Sequence, residues 1–157
     1  MIIFDYILGK LRLRDAPSGA NEKTVAYTIG IFGATGVDFN FASVANALEQ
    51  SIQLGAAAII PANSPIKTIV VKCTEAVEAA GVPKTASNDV GNTSGGDEWI
   101  STIALETLNQ IASVSTQVAA MAAASSIYFS ITPGVNWNTL TKGKWKIWIT
   151  YNDNSTN

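Results

Sequence analysis

Between residues 144 and 151 the chain alternates without a break, with Trp145, Ile147, Ile149 and Tyr151 set against Lys144, Lys146, Trp148 and Thr150. Only an extended backbone puts side chains at i, i+2 and i+4 on one face, so this stretch is committed to a β-strand with a continuous apolar side. A second such run lies just upstream, where Ile127, Phe129 and Ile131 alternate with Ser126, Tyr128, Ser130 and Thr132. Pro133-Gly134 turns the chain after it. Two successive strands of this kind are expected as antiparallel neighbours in a sandwich.

The same period recurs over 66–77, after the turn Pro61-Ala62-Asn63-Ser64-Pro65. There Ile69, Val71, Cys73 and Val77 share a face, and both faces are partly apolar, as suits a strand between a core and a neighbour. Residues 57–60 and 24–32 also read as strand. One segment has helical spacing instead. Phe41, Val44, Ala45, Leu48 and Ile52 fall on one stripe, Asn40 is a suitable N-cap and Gly55 a stop, which predicts an amphipathic helix over 40–54. Residues 80–96 are rich in Gly, Ser, Asn and Thr and read as loops around at most one short strand. For 101–124 a helix and two short strands both fit. The expected organisation is an N-terminal attachment arm (1–20), a strand-plus-helix connector (21–55) and a β-sandwich oligomerisation domain (56–157).

The arm is read from its pattern. Phe4, Tyr6 and Leu8 belong to an apolar stretch, and Lys10, Arg12 and Arg14 then alternate with Leu11 and Leu13, giving an extended strand with one basic and one apolar face. An apolar end needs somewhere to dock. Its own domain and a neighbouring protein both qualify.

The chemistry available is narrow. The 157 residues contain no histidine and one cysteine, so Ser-His and Cys-His pairs, His-ligated metals and thiolate zinc sites are absent from the menu. The acidic residues are scattered, and the adjacent Asp97-Glu98 would point to opposite faces of an extended chain. The sequence therefore reads against catalysis, cofactors and metals. The glycines of Gly30-Ile31-Phe32-Gly33-Ala34-Thr35-Gly36 resemble the opening of a dinucleotide-binding unit. Counted from Gly33, however, Phe39 stands at the third glycine position, and Asp38 would face the phosphates. Cys73 reads as a small buried apolar residue. Trp137, Trp145 and Trp148 read as core or subunit contact, with a sugar-binding platform as the alternative. A net charge of −2 offers no field for nucleic acid. No apolar run approaches the ~20 residues of a membrane-spanning helix, and no secretion signal is recognised. Charged residues make up only 14% of the chain, against roughly 25% in ordinary soluble domains. A surface so poor in ions is expected to be covered by sister chains.

Three segments carry a family resemblance. The start Asp5-Tyr6-Ile7-Leu8-Gly9-Lys10-Leu11-Arg12, the block from Ile59-Ile60-Pro61-Ala62-Asn63 through the strand ending Glu75-Ala76, and the close Lys144-Trp145-Lys146-Ile147-Trp148 resemble, in this order, virion structural proteins of tailed bacteriophages. The likeness is greatest to the crAss-like group. It implies a mainly β, jelly-roll-like antiparallel sandwich, a homotrimer, and a head-fibre or capsid-decoration role. It also implies that the N-terminal arm (Phe4, Tyr6, Leu8, Lys10, Leu11, Arg12, Leu13, Arg14) holds other virion proteins. The protein would be made in the bacterial cytoplasm and reside in the virion; a host-surface-binding module of a tail fibre is the alternative.

Overall fold

The structure, a computed structural model, describes residues 3–7, 10–14, 21–31, 37–39, 45–114 and 120–154, with backbone alone for 3–7, 10–14, 21 and 37–39. The strands, in chain order, are β1 (Ile3–Ile7), β2 (Lys10–Arg14), β3 (Asn21–Ile31), β4 (Val37–Phe39), β5 (Gln50–Gln53), β6 (Ile66–Ala79), β7 (Val82–Pro83) and β8 (Ala86–Gly91). They continue with β9 (Ile100–Ala104), β10 (Ile111–Val114), β11 (Tyr128–Pro133) and, after a 3-10 turn at Trp137–Thr139, β12 (Lys142–Asp153).

The two sheets of the sandwich run β10-β6-β12-β3-β4 (with the short β7 beside β6) and β5-β11-β8-β9. Four pairings define the topology: β3 with β12, β5 with β11, β6 with β10, and β8 with β9, each antiparallel. Each pair is enclosed in sequence by the one before it, so the eight strands form one long hairpin rolled across two sheets. That is the jelly-roll arrangement. β1 and β2 pair with each other in a separate two-stranded sheet, with Ile3 opposite Arg14 and Ile7 opposite Lys10.

The alternation read at 144–151 places Trp145, Ile147, Ile149 and Tyr151 in the core, at 0–5% exposure, with the intervening side chains outward. Ile69, Val71, Cys73 and Val77 of β6 lie beside them, all fully buried. Ile127, Phe129 and Ile131 face them from the other sheet, and the Phe129 and Trp145 rings meet at 5.8 Å with a 54° tilt. Where the two sheets could leave a buried indole N–H unpaired, loop carbonyls take it. Trp145 Nε1 donates to Leu105 O and Trp137 Nε1 to Leu48 O, both at 2.8 Å. At the entry to β12, Gly143 has φ +151° at a register shift, with Ile31, Trp145 and Val77 around it. A Cβ there would be strained as well as crowded.

Several expectations are corrected. The helix over 40–54 is not formed. Residues 45–49 are irregular, Gln50–Gln53 pairs with β11, and Leu48 is 67% exposed while Ile52 packs against the core, so the stripe does not share one face. Residues 40–44 lie outside the described part. Sheet pairing wins because Ile52 and Leu54 reach the core at strand spacing, and Ser51 Oγ meets Ser130 Oγ at 2.7 Å across the ladder. The 21–55 segment is thus no separate connector, since β3 and β5 are strands of the two sheets. Residues 57–60 make a turn with Ala58 at φ 56°, and only Ile60 keeps a bridge, to Ser125. Other readings stand: 86–91 is the short strand allowed within 80–96, joined by the two-residue β7, and of the two readings of 101–124 the structure has the short strands, β9 (from Ile100) and β10. β11 and β12 are not neighbours, because the connection between them crosses from one sheet to the other.

Candidate interaction surfaces

With one face of each sheet turned to the core, the outward faces and the loops remain for function. On the six-stranded sheet, backbone register sets out the outward rows. Ile111, Lys72, Lys146 and Thr28 lie side by side across β10, β6, β12 and β3, and Ser113, Val70, Trp148 and Ala26 form the next row. A threonine row follows, Thr68, Thr150 and Thr24, with the last two joined at 2.9 Å. Around this face, lysines are matched with carboxylates: Lys142 with Glu78 at 3.1 Å, Lys144 with Glu75 at 3.6 Å, Lys67 with Glu22, and Lys23 with Asp153. The Asp153 carboxylate raises the Lys23 pKa, first through their hydrogen bond and then through its charge. Lys72 and Lys146 differ. They stand directly opposite each other on β6 and β12, and among the described residues neither has a carboxylate partner. Lys146 Nζ lies 5.1 Å from the centre of the Trp148 ring, a cation–π contact.

The four-stranded sheet is built differently. Its outward row Ser51, Ser130 and Asp89 is covered by the 92–98 loop, where Gly95 N donates to Ser51 Oγ at 2.7 Å. The Glu98 carboxylate closes that loop by accepting from Asn92 N at 3.0 Å and Thr93 Oγ1 at 3.2 Å. Gly91 lets the loop come close, because a Cβ there would lie 2.1 Å from Glu98 Oε2 and 2.5 Å from the Gly96 backbone. Asp89, 6% exposed, accepts from the backbone N and the Oγ1 of Thr102, whose φ is 43°. Glu49 lies over the same end. Burial, and then the charges of Asp89 and Asp97, raise its carboxyl above the ordinary value. Glu49, Asp89, Asp97 and Glu98 therefore form an acidic end to which no described lysine or arginine is paired.

The residues singled out in the sequence separate accordingly. Trp137 and Trp145 are fully buried in their own chain, which leaves them no surface for a subunit contact or a sugar; Trp148 alone of the three keeps an outward, half-buried face. Of the arm residues, Phe4, Tyr6, Lys10, Leu11, Arg12, Leu13 and Arg14 fall on β1 and β2, whose side chains lie outside the described part, as does Leu8 altogether. Cys73 is buried, and desolvation lifts its thiol pKa above the ordinary value while Sγ contacts Glu75 O at 3.2 Å. β3 leads into a parallel pairing with β4, so Gly30 belongs to a sheet ladder rather than to a phosphate loop; residues 32–36 lie outside the described part. Among the described residues no group of three or more His, Cys, Asp or Glu is placed to hold a metal, and no helix is long and apolar enough to cross a membrane. A shallow cleft along Thr85, Ala86, Ser87, Ala104 and Pro133 holds one acid, Glu106, whose Oε2 already accepts from Ala86 N at 3.1 Å. The acidic end and the lysine pair escaped sequence reading, since register, not spacing along the chain, brings their members together.

Neither a protein-family model nor a curated protein sequence matches this chain. Among solved structures, a chain described as "Cyanophage Pam1 capsid asymmetric unit" is similar in fold, with a TM-score of 0.57 and 10% identity over 94% of this chain and 96% of that one.

Proposed function

We propose that this protein is a non-enzymatic structural component of a bacteriophage virion, a head-fibre or capsid-decoration protein that assembles with copies of itself and attaches to the particle through its N-terminal arm. The observation that carries the reading is the end-to-end likeness of its jelly roll to a chain of a cyanophage capsid asymmetric unit. The resemblance of its sequence to virion proteins of the crAss-like group points the same way and adds the trimer. The scarcity of charge, 14% of residues, supports a surface made to be covered. The alternation of Lys10, Arg12 and Arg14 with Leu11 and Leu13 supports the arm as the attaching element.

The test is removal of residues 1–17. The truncated protein is expected to oligomerise by light scattering yet fail to join particles. Full incorporation of the truncated chain would remove the arm from the account, and a full-length chain that is monomeric at micromolar concentration would remove self-assembly.

A further inference from the structure

Two like charges set directly opposite on neighbouring strands disfavour the isolated sheet. Lys72 and Lys146 are in that position at the middle of the outward face, although Lys142 and Lys144 of the same strand as Lys146 each have a carboxylate. On one side their neighbours are apolar: Trp148 and Val70 lie in the next row, and Ile111, 59% exposed, ends their own. The Trp148 ring holds the Lys146 ammonium close, 5.1 Å from its centre. A cation pair bordered by a half-exposed tryptophan and an exposed isoleucine has the composition of an interface centre awaiting an anion. The complementary anion is on the same chain but on the other sheet. The acidic end carries exposed Glu49, Asp97 and Glu98 with Asp89 beneath, and burial, followed by the charges of Asp89 and Asp97, raises the Glu49 pKa. The two patches sit on different sheets, so one copy cannot bring them together.

From this charge complementarity we propose that the Lys72–Lys146–Trp148 patch of one copy docks the acidic 92–98 loop end of a second copy, a head-to-tail contact repeated from chain to chain. Resting on the self-assembly reading above, it names the surfaces used. A head-to-tail contact closes into a ring if the rotation between copies allows. Opposite potentials also steer the encounter and exclude a face-to-face pairing of two basic sheets.

The experiment reverses each patch in the full-length protein. One variant carries Lys72→Glu with Lys146→Glu, the other Glu49→Lys with Asp97→Lys. The wild type is expected to be oligomeric by light scattering, with association weakening about tenfold or more as salt is raised. Each variant alone is expected to be monomeric at concentrations where the wild type is assembled. Mixed together, the variants present opposite charges again and are expected to form mixed complexes, which also shows that both are folded. Should either variant misfold alone, the milder Lys72→Gln with Lys146→Gln is expected to weaken association in the same direction. A wild-type oligomer that both reversals leave intact overturns this contact and leaves the self-assembly reading standing; a monomeric wild type overturns both. Monomeric variants that do not associate when mixed overturn the pairing of these two patches. If the lysine reversal spares the oligomer but abolishes binding of dextran sulfate, the patch serves a polyanionic glycan and the proposal fails.

Discussion

Asn88 sits on the inner face of β8, between Ile131 and Ile103, at 1% exposure. Neither its Oδ1 nor its Nδ2 has a hydrogen-bond partner among the described residues. A buried amide in that state costs about 1–3 kcal/mol. Asn88→Leu, close to it in shape, is therefore expected to raise the thermal midpoint, at about 2–4 °C per kcal/mol for a chain of this size. An unchanged or lower midpoint in a calorimetric scan would show that the amide is held. Trp145 makes the opposite case, because its ring fills the core and its Nε1–H satisfies Leu105 O. Trp145→Phe keeps much of the volume but orphans that carbonyl, for about 1–3 kcal/mol. Trp145→Ala is expected to cost about 3–5 kcal/mol. Urea unfolding of the pair separates the two contributions, and a Trp145→Phe variant as stable as the wild type would refute the role of the hydrogen bond. Cys73, buried with its thiol pKa raised, is expected to react with a disulfide reagent only after unfolding; rapid labelling of the native protein would contradict that burial.

Among the elements, the 92–98 loop should respond to pH. Glu49 has a raised pKa in the folded chain, so the folded state holds its proton more tightly than the unfolded one. Its contribution to stability is thus present at low pH and lost as pH rises from the ordinary value of 4.5 through the raised one. Glu49→Gln is expected to flatten that slope and to slow amide exchange in 92–98 at neutral pH; an unaltered pH profile would exclude Glu49 as its source. The acids around it explain why this end was not legible in the sequence. Glu49, Asp89 and Asp97 come from three separate segments, and nothing in their spacing marks them as neighbours. β6, β11 and β12, by contrast, were legible to within a few residues, because each turns an uninterrupted apolar face to one core. β8 was not, since Ser87, Asn88 and Asp89 are turn formers whose strand is imposed by β11 and β9 on either side. The false helix arose because Leu48 and Ile52 satisfy a helical period by coincidence, while Trp137 Nε1 and β11 compete for the same backbone.

For the whole molecule, the nested pairing makes almost every ladder long-range. Refolding is therefore expected on the millisecond-to-second scale of non-local β topologies, and stopped-flow fluorescence of the tryptophans would lose amplitude within its dead time if local structure formed first. The eight sandwich strands begin at Asn21, so a chain lacking residues 1–17 is expected to melt as cooperatively as the full chain. A broadened or lowered transition would place the arm within the fold. The jelly roll itself was foreseeable from alternation and resemblance together, whereas the assignment of strands to sheets was not, because alternation is blind to which neighbour a strand acquires.

β3 and β12 run antiparallel from Asn21 opposite Asp153, so the backbone enters and leaves the sandwich at one spot, with the Lys23–Asp153 ion pair across it. A pull applied between the two ends would load that ladder bond by bond, peeling it open like a zip at low force. The same tension carried in through the arm and out through the broad faces of the sheets would cross many hydrogen bonds at once and meet far more resistance. A fold built this way withstands load spread over its faces but yields when its two ends are pulled apart.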